Sequence, residues 1–194
     1  MPYEGGLAAR LILDRWLNNG ASNIEQLNGA GLAVIIDAAK RELHLLTDRL
    51  GFYPAFAWSE DGFVVCSNAD VAAAALATAG RRCQFDKLTM AEFLRTGTAT
   101  QPFTYWSGIN QLDAGTYYRF SFGDRPRLVE QRRYWQPANL NHPYLTDREE
   151  IVESLTAALT SAVRKRTLPR LGKVAVMLSA GADSRAALFA ACNP

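Results

Sequence analysis

Leu32-Ala33-Val34-Ile35-Ile36-Asp37 is a short apolar run, and four residues later Glu42-Leu43-His44-Leu45-Leu46-Thr47-Asp48 answers it. Short runs rich in β-branched and apolar residues, separated by a few polar ones, read as the two strands of a hairpin. Phe52-Tyr53-Pro54-Ala55-Phe56-Ala57-Trp58 predicts a further strand. Asp61-Gly62 predicts a tight turn, because both central residues of such a turn need positive φ. Phe63-Val64-Val65-Cys66 then returns antiparallel to it. This stretch sets the class of the first part of the chain as antiparallel β, and the flanking patterns add helices.

Before it, Leu7, Leu11, Leu13, Trp16 and Leu17 recur at helical spacing until Asn18-Asn19-Gly20, and a short segment from Asn23 to Leu27 leads into Asn28-Gly29. After it, Ser67 or Asn68 can cap a helix running through Ala72 to Ala79, and Asp86 begins another, through Met90, Phe93 and Leu94 to Gly97. Aromatic-rich strands are expected at Gly115 to Phe120 and Leu128 to Trp135. The composition shifts to linker residue types over 138–146. Thr146 or Asp147 then caps an amphipathic helix carrying Ile151, Leu155, Leu159 and Val163, which Pro169 and Gly172 end. A buried strand is expected at Val174-Ala175-Val176-Met177-Leu178, followed by a small-residue loop and a helix from about Ser184. The fold class is therefore α+β over residues 1–137, followed by the opening helix–strand–loop–helix of an α/β domain over 147–194.

With 194 residues, 48% of them hydrophobic, the chain can bury a core. A net charge of +2 gives no footprint for nucleic acid. Arg164-Lys165-Arg166 fits the end of a helix, where cations suit the macrodipole. No apolar stretch is long enough for a bilayer span, and nothing resembles a signal peptide. Cys66, Cys83 and Cys192 share no close spacing, so neither a disulfide framework nor a zinc site is expected, and a reducing cytoplasm is the default. His44 lies in a strand and His142 in the linker, with no serine–histidine–acid arrangement around either.

The loop Ser179-Ala180-Gly181-Ala182-Asp183-Ser184 carries the clearest chemistry. A small-residue loop between a strand and a helix lets backbone approach an anion, and the unpaired N–H groups and dipole of the helix start attract it. Ser179 and Ser184 can add hydroxyls. Asp183 can cap the helix or help to hold magnesium near phosphates. Arg185 can reach a phosphate or lie on the helix surface. No Gly-Lys-Ser/Thr follows, so this is not a Walker loop.

This loop resembles the Ser-Gly-Gly-x-Asp-Ser signature of the ATP-pyrophosphatase family, with Ala180 in place of the first glycine. Upstream, Leu27-Asn28-Gly29, Thr47-Asp48-Arg49-Leu50-Gly51-Phe52-Tyr53-Pro54 and Gly62-Phe63-Val64-Val65-Cys66-Ser67 resemble the class II glutamine amidotransferase domain of asparagine synthetases. Gly108-Ile109-Asn110-Gln111-Leu112-Asp113-Ala114-Gly115 resembles the segment that closes that domain. Tyr134-Trp135-Gln136-Pro137 resembles the passage into the synthetase domain.

The resemblance implies an αββα sandwich followed by an adenine nucleotide alpha hydrolase-like domain. It implies glutamine hydrolysis in the first domain, and in the second the adenylylation of aspartate by ATP, whose product ammonia converts to asparagine. ATP and Mg2+ are the implied cofactors, with Met177, Ser179, Gly181, Asp183 and Ser184 as nucleotide-binding residues. Glutamine and aspartate are the other implied small-molecule partners, and a homodimer is left open. Asp48 and Arg49 would lie near the glutamine pocket or simply order the turn before Gly51.

The family nucleophile is an N-terminal cysteine whose own α-amino group acts as its base. Here residue 2 is Pro2, and no catalytic residue is assigned. The match begins partway into the first domain and stops one helix after the loop, so this chain is expected to be an inactive fragment of a longer enzyme. A related amide- or lactam-forming synthetase with a degenerate amidotransferase domain, of the β-lactam or lasso-peptide type, and a non-catalytic remnant are the alternative readings.

Overall fold

The structure is a computed structural model that describes residues 7–60, 62–123, 126–137, 146–169 and 172–192. Met1–Pro137 and Ala138–Pro194 form two compact units. The linker expected at 138–146 lies outside the described residues except for Thr146.

In the first unit, α1 spans Leu7–Glu25 and breaks where Asn18-Asn19-Gly20 predicts it, with Gly20 at φ 58° and ψ −147°. Strands β1 (Ala33–Asp37) and β2 (Glu42–Leu46) pair antiparallel with Ile35 opposite His44. Strands β3 (Phe56–Trp58) and β4 (Val64–Cys66) form the second hairpin, with Phe56 opposite Cys66. Asp61 of its expected turn lies outside the described residues, while Gly62 has φ 125°. Helices α2 (Ala69–Thr78) and α3 (Lys87–Thr96) follow, then β5 (Asn110–Gln111), β6 (Thr116–Ser121) and β7 (Arg127–Arg133). One sheet has the order β1-β2-β6-β7 and the other β4-β3-β5, antiparallel throughout.

Period-2 alternation stacks these layers, because successive side chains of a strand point to opposite faces. On one face of the larger sheet, Ala33, Leu46 and Tyr117 pack with Ile12, Trp16, Ala21 and Ile24 of α1. On its other face, Leu45, Tyr118 and Phe120 pack with Phe63, Val65 and Leu112 from the smaller sheet and its flanks. The far face of the smaller sheet presents Trp58 to Ala72, Ala73 and Leu76 of α2. The layer order is thus helix, sheet, sheet, helix.

The capping residues act as their chemistry requires. Asn68 Oδ1 accepts from the Asp70 and Val71 N–H groups, and Asp86 Oδ1 accepts from those of Leu88 and Thr89. Gly97 closes α3 in the left-handed region at φ 78°.

Three expected strands lose two residues or more at one end in the structure. β2 ends at Leu46, β3 begins only at Phe56, and β7 ends at Arg133. Before β3 the Phe52 and Tyr53 donors go to Asp48, and after β7 those of Tyr134 and Trp135 go to Gly115, rather than to a ladder.

In the second unit, α4 (Arg148–Arg166) starts at the cap Asp147, whose carboxylate accepts from the Glu150 N–H at 3.1 Å. α5 covers Ala182–Cys192, starting two residues before the expected Ser184. The strand expected at Val174–Leu178 is not formed, and Met177 is 93% exposed. A buried strand exists only where neighbours pair with it and helices cover it. The described residues of this unit contain helices and no strand.

Candidate functional site

Two places carry the chemistry read from the sequence. The first is the turn Thr47–Pro54. Asp48 is buried, and its carboxylate accepts four backbone N–H groups: Leu50 at 3.1 Å, Phe52 at 3.0 Å, Tyr53 at 3.0 Å and Gly31 at 3.3 Å. Its carbonyl accepts from Gly51 and Gly115. Burial alone would push the Asp48 carboxyl up, but the bonds from Tyr53, Phe52, Gly31 and Leu50 together outweigh it and hold the carboxyl below its ordinary value. Those bonds occupy both carboxylate oxygens, so Asp48 orders the turn, one of the two roles open to it from sequence.

Gly51 at φ 67° and Gly115 at φ 58° permit this close backbone approach. A Cβ on Gly115 would lie 2.7 Å from the Trp135 carbonyl oxygen. Gly115 in turn accepts from the N–H groups of Tyr134 and Trp135. The turn therefore joins the first hairpin, the start of β6 and the end of the unit. Asp48, Thr47 and Tyr134 border a cavity of about 330 Å³ that is otherwise lined mainly by apolar residues of α1 and the segment 27–33. Beside Asp48, the Nε of Arg49 is buried without a hydrogen-bond partner among the described residues.

The second place is the loop at 179–184. Ser179 Oγ and Ser184 Oγ lie 2.9 Å apart, and Ser184 Oγ also accepts from the Ser179 N–H at 3.1 Å. The Gly181 N–H donates to Ser179 Oγ at 3.2 Å. Both hydroxyls thus sit at the exposed first turn of α5, where Asp183 also lies. A Cβ on Gly181 would meet Ser179 Oγ at 3.3 Å, a tight contact that a small shift of that hydroxyl relieves. The loop brings Ser179, Gly181, Asp183 and Ser184 together, while Met177 stands in the exposed segment before it.

No cluster of three His, Cys, Asp or Glu side chains that could hold a metal occurs among the described residues. Magnesium needs only one or two carboxylates when phosphates complete its shell. Asp183 is the carboxylate this loop would offer it.

Cys66 lies in β4, where burial pushes its thiol up, which is the wrong direction for a nucleophile. One cluster had no sequence signal. His44, buried in β2, places Nδ1 2.8 Å from the Tyr117 hydroxyl and Nε2 3.4 Å from Glu42. Only the register of β2 against β6 creates it.

No helix among the described residues is long and apolar enough to cross a membrane. No curated protein matches the chain. A family model described as a glutamine amidotransferase domain matches residues 8–135, from α1 through β7 to the Trp135 that packs on Gly115. The first unit has the helix–sheet–sheet–helix layering expected from the resemblance, and the chain belongs to the glutamine amidotransferase domain family.

Proposed function

We propose that this chain serves the ATP- and glutamine-dependent amidation of aspartate to asparagine. Membership of the amidotransferase family supports glutamine as the nitrogen donor. The observation that carries the ATP-dependent half is the joined pair Ser179 and Ser184 at the first turn of α5, in the same chain as an amidotransferase domain.

In this reading, an aspartate carboxylate oxygen attacks the α-phosphorus of ATP and pyrophosphate leaves, giving β-aspartyl-AMP. Ammonia from glutamine then attacks the acyl carbon, AMP leaves, and a proton is lost to solvent. Free N–H groups at the start of α5 would receive the phosphate oxygens, together with the two serine hydroxyls. Asp183 would hold magnesium, which when bound neutralises phosphate charge. Met177 would border the nucleotide before the loop. Ala180 would stand where the related signature has glycine, and its Cβ disfavours positive φ there.

Titration of the protein with magnesium-ATP tests the site. Asp183→Ala should abolish binding, and unchanged binding would show that the nucleotide sits elsewhere.

A further inference from the structure

We propose that His44 makes the docking of α1 on the larger sheet pH-sensitive: the neutral imidazole holds the helix down, and the imidazolium loosens it. The imidazole is 3% exposed and lies under the Trp16 ring of α1, with ring centroids 4.4 Å apart. On its other side it stacks on Tyr117, whose hydroxyl bonds Nδ1 at 2.8 Å. Its Nε2 is buried and has no hydrogen bond among the described residues.

In the tautomer whose Nδ1–H donates to Tyr117, a second proton enters at that nitrogen. The nearest acceptor is Glu42 Oε2 at 3.4 Å, beyond a good hydrogen bond, while Arg119 holds the other oxygen, Oε1, at 2.7 Å. Arg119 is the residue directly opposite His44 in the β2–β6 register. Protonation therefore adds a second cation on the rung of Arg119, and the two must share the Glu42 carboxylate between them.

The other charged groups around the cluster do not remove this conflict. Glu130 on β7 bonds Arg119, and Arg132 on β7 covers the Tyr117 ring while bonded to Glu25 of α1. Asp37 at the end of β1 favours the imidazolium, but it is paired with Lys40, which opposes it. The principal cost is burial, which holds the His44 pKa below its ordinary value, and the Glu42 charge offsets it only in part. Lifting α1 exposes the imidazole to water and removes that cost.

Hydrogen exchange on the chain at pH 7.5 and 5.0, corrected for intrinsic rates, tests this. The expected result is that α1 loses protection relative to β6 on acidification, on the order of tenfold for each pKa unit of depression. His44→Gln should remove this pH dependence. Equal change in α1 and β6, or the same change in His44→Gln, would overturn the proposal. If His44→Gln does not fold, an NMR titration of the chain decides, with the two histidine signals assigned by His142→Gln. A His44 midpoint below about 6.5 is expected, and one at or above it overturns the proposal.

Discussion

The Tyr134 hydroxyl donates to the carbonyl of Thr47 at 2.6 Å, so the end of the amidotransferase unit is bonded to the residue preceding Asp48. Thr47 itself donates its hydroxyl to the Asp113 carbonyl at 2.7 Å and its N–H to Thr116. One turn, anchored by the buried Thr47 and Asp48, thus holds the first hairpin, the approach to β6 and the end of the unit.

Removing the Tyr134 hydroxyl leaves the ring's packing intact and deprives the Thr47 carbonyl of this donor. Tyr134→Phe should lower unfolding stability by about 1 kcal/mol, the usual net worth of one hydrogen bond. Urea titration of the two proteins measures it. No difference would mean that water replaces the bond fully.

Asp48 should matter far more, since its loss leaves several N–H groups without their acceptor. Asp48→Ala should cost on the order of 3 kcal/mol or more. The pH dependence follows from the depressed carboxyl. The stabilisation is fully present above the unfolded value of about 3.9 and is lost as pH falls through the folded value. Asp48→Asn should therefore flatten the acid limb of the stability curve, and an unchanged limb would contradict the role assigned to the turn.

Gly115 and Gly97 form a controlled pair. Both have positive φ, but a Cβ on Gly97 meets nothing within 4 Å, whereas one on Gly115 lies 2.7 Å from the Trp135 carbonyl oxygen. Gly97→Ala should cost about 1–2 kcal/mol from backbone strain alone. Gly115→Ala should cost about 1–3 kcal/mol beyond that, because backbone must move. Equal losses in thermal unfolding would show that the contact at Gly115 relaxes freely.

Much of this was legible in the residues. Strands β1 and β2 follow from their apolar runs, and Asn68, Asp86 and Asp147 cap helices because their short side chains reach the free N–H groups. The aromatic stretch Phe52–Ala55 also looks like strand, but Asp48 takes the N–H groups of Phe52 and Tyr53. Tyr134 and Trp135 extend the β7 pattern, yet their N–H groups go to Gly115. Val174–Leu178 has a strand's composition, but pairing is decided by non-local partners that a local pattern does not contain. The Ser179–Ser184 loop was readable as a motif. The bond between its hydroxyls depends on how the loop turns into α5, and the composition of the loop does not state that.

The most direct test of the proposed chemistry is pyrophosphate exchange into ATP, measured on the protein. Exchange that depends on added aspartate, and that Asp183→Ala abolishes, is the predicted result. Absence of aspartate-dependent exchange in a protein shown to bind ATP would contradict the assignment to asparagine synthesis.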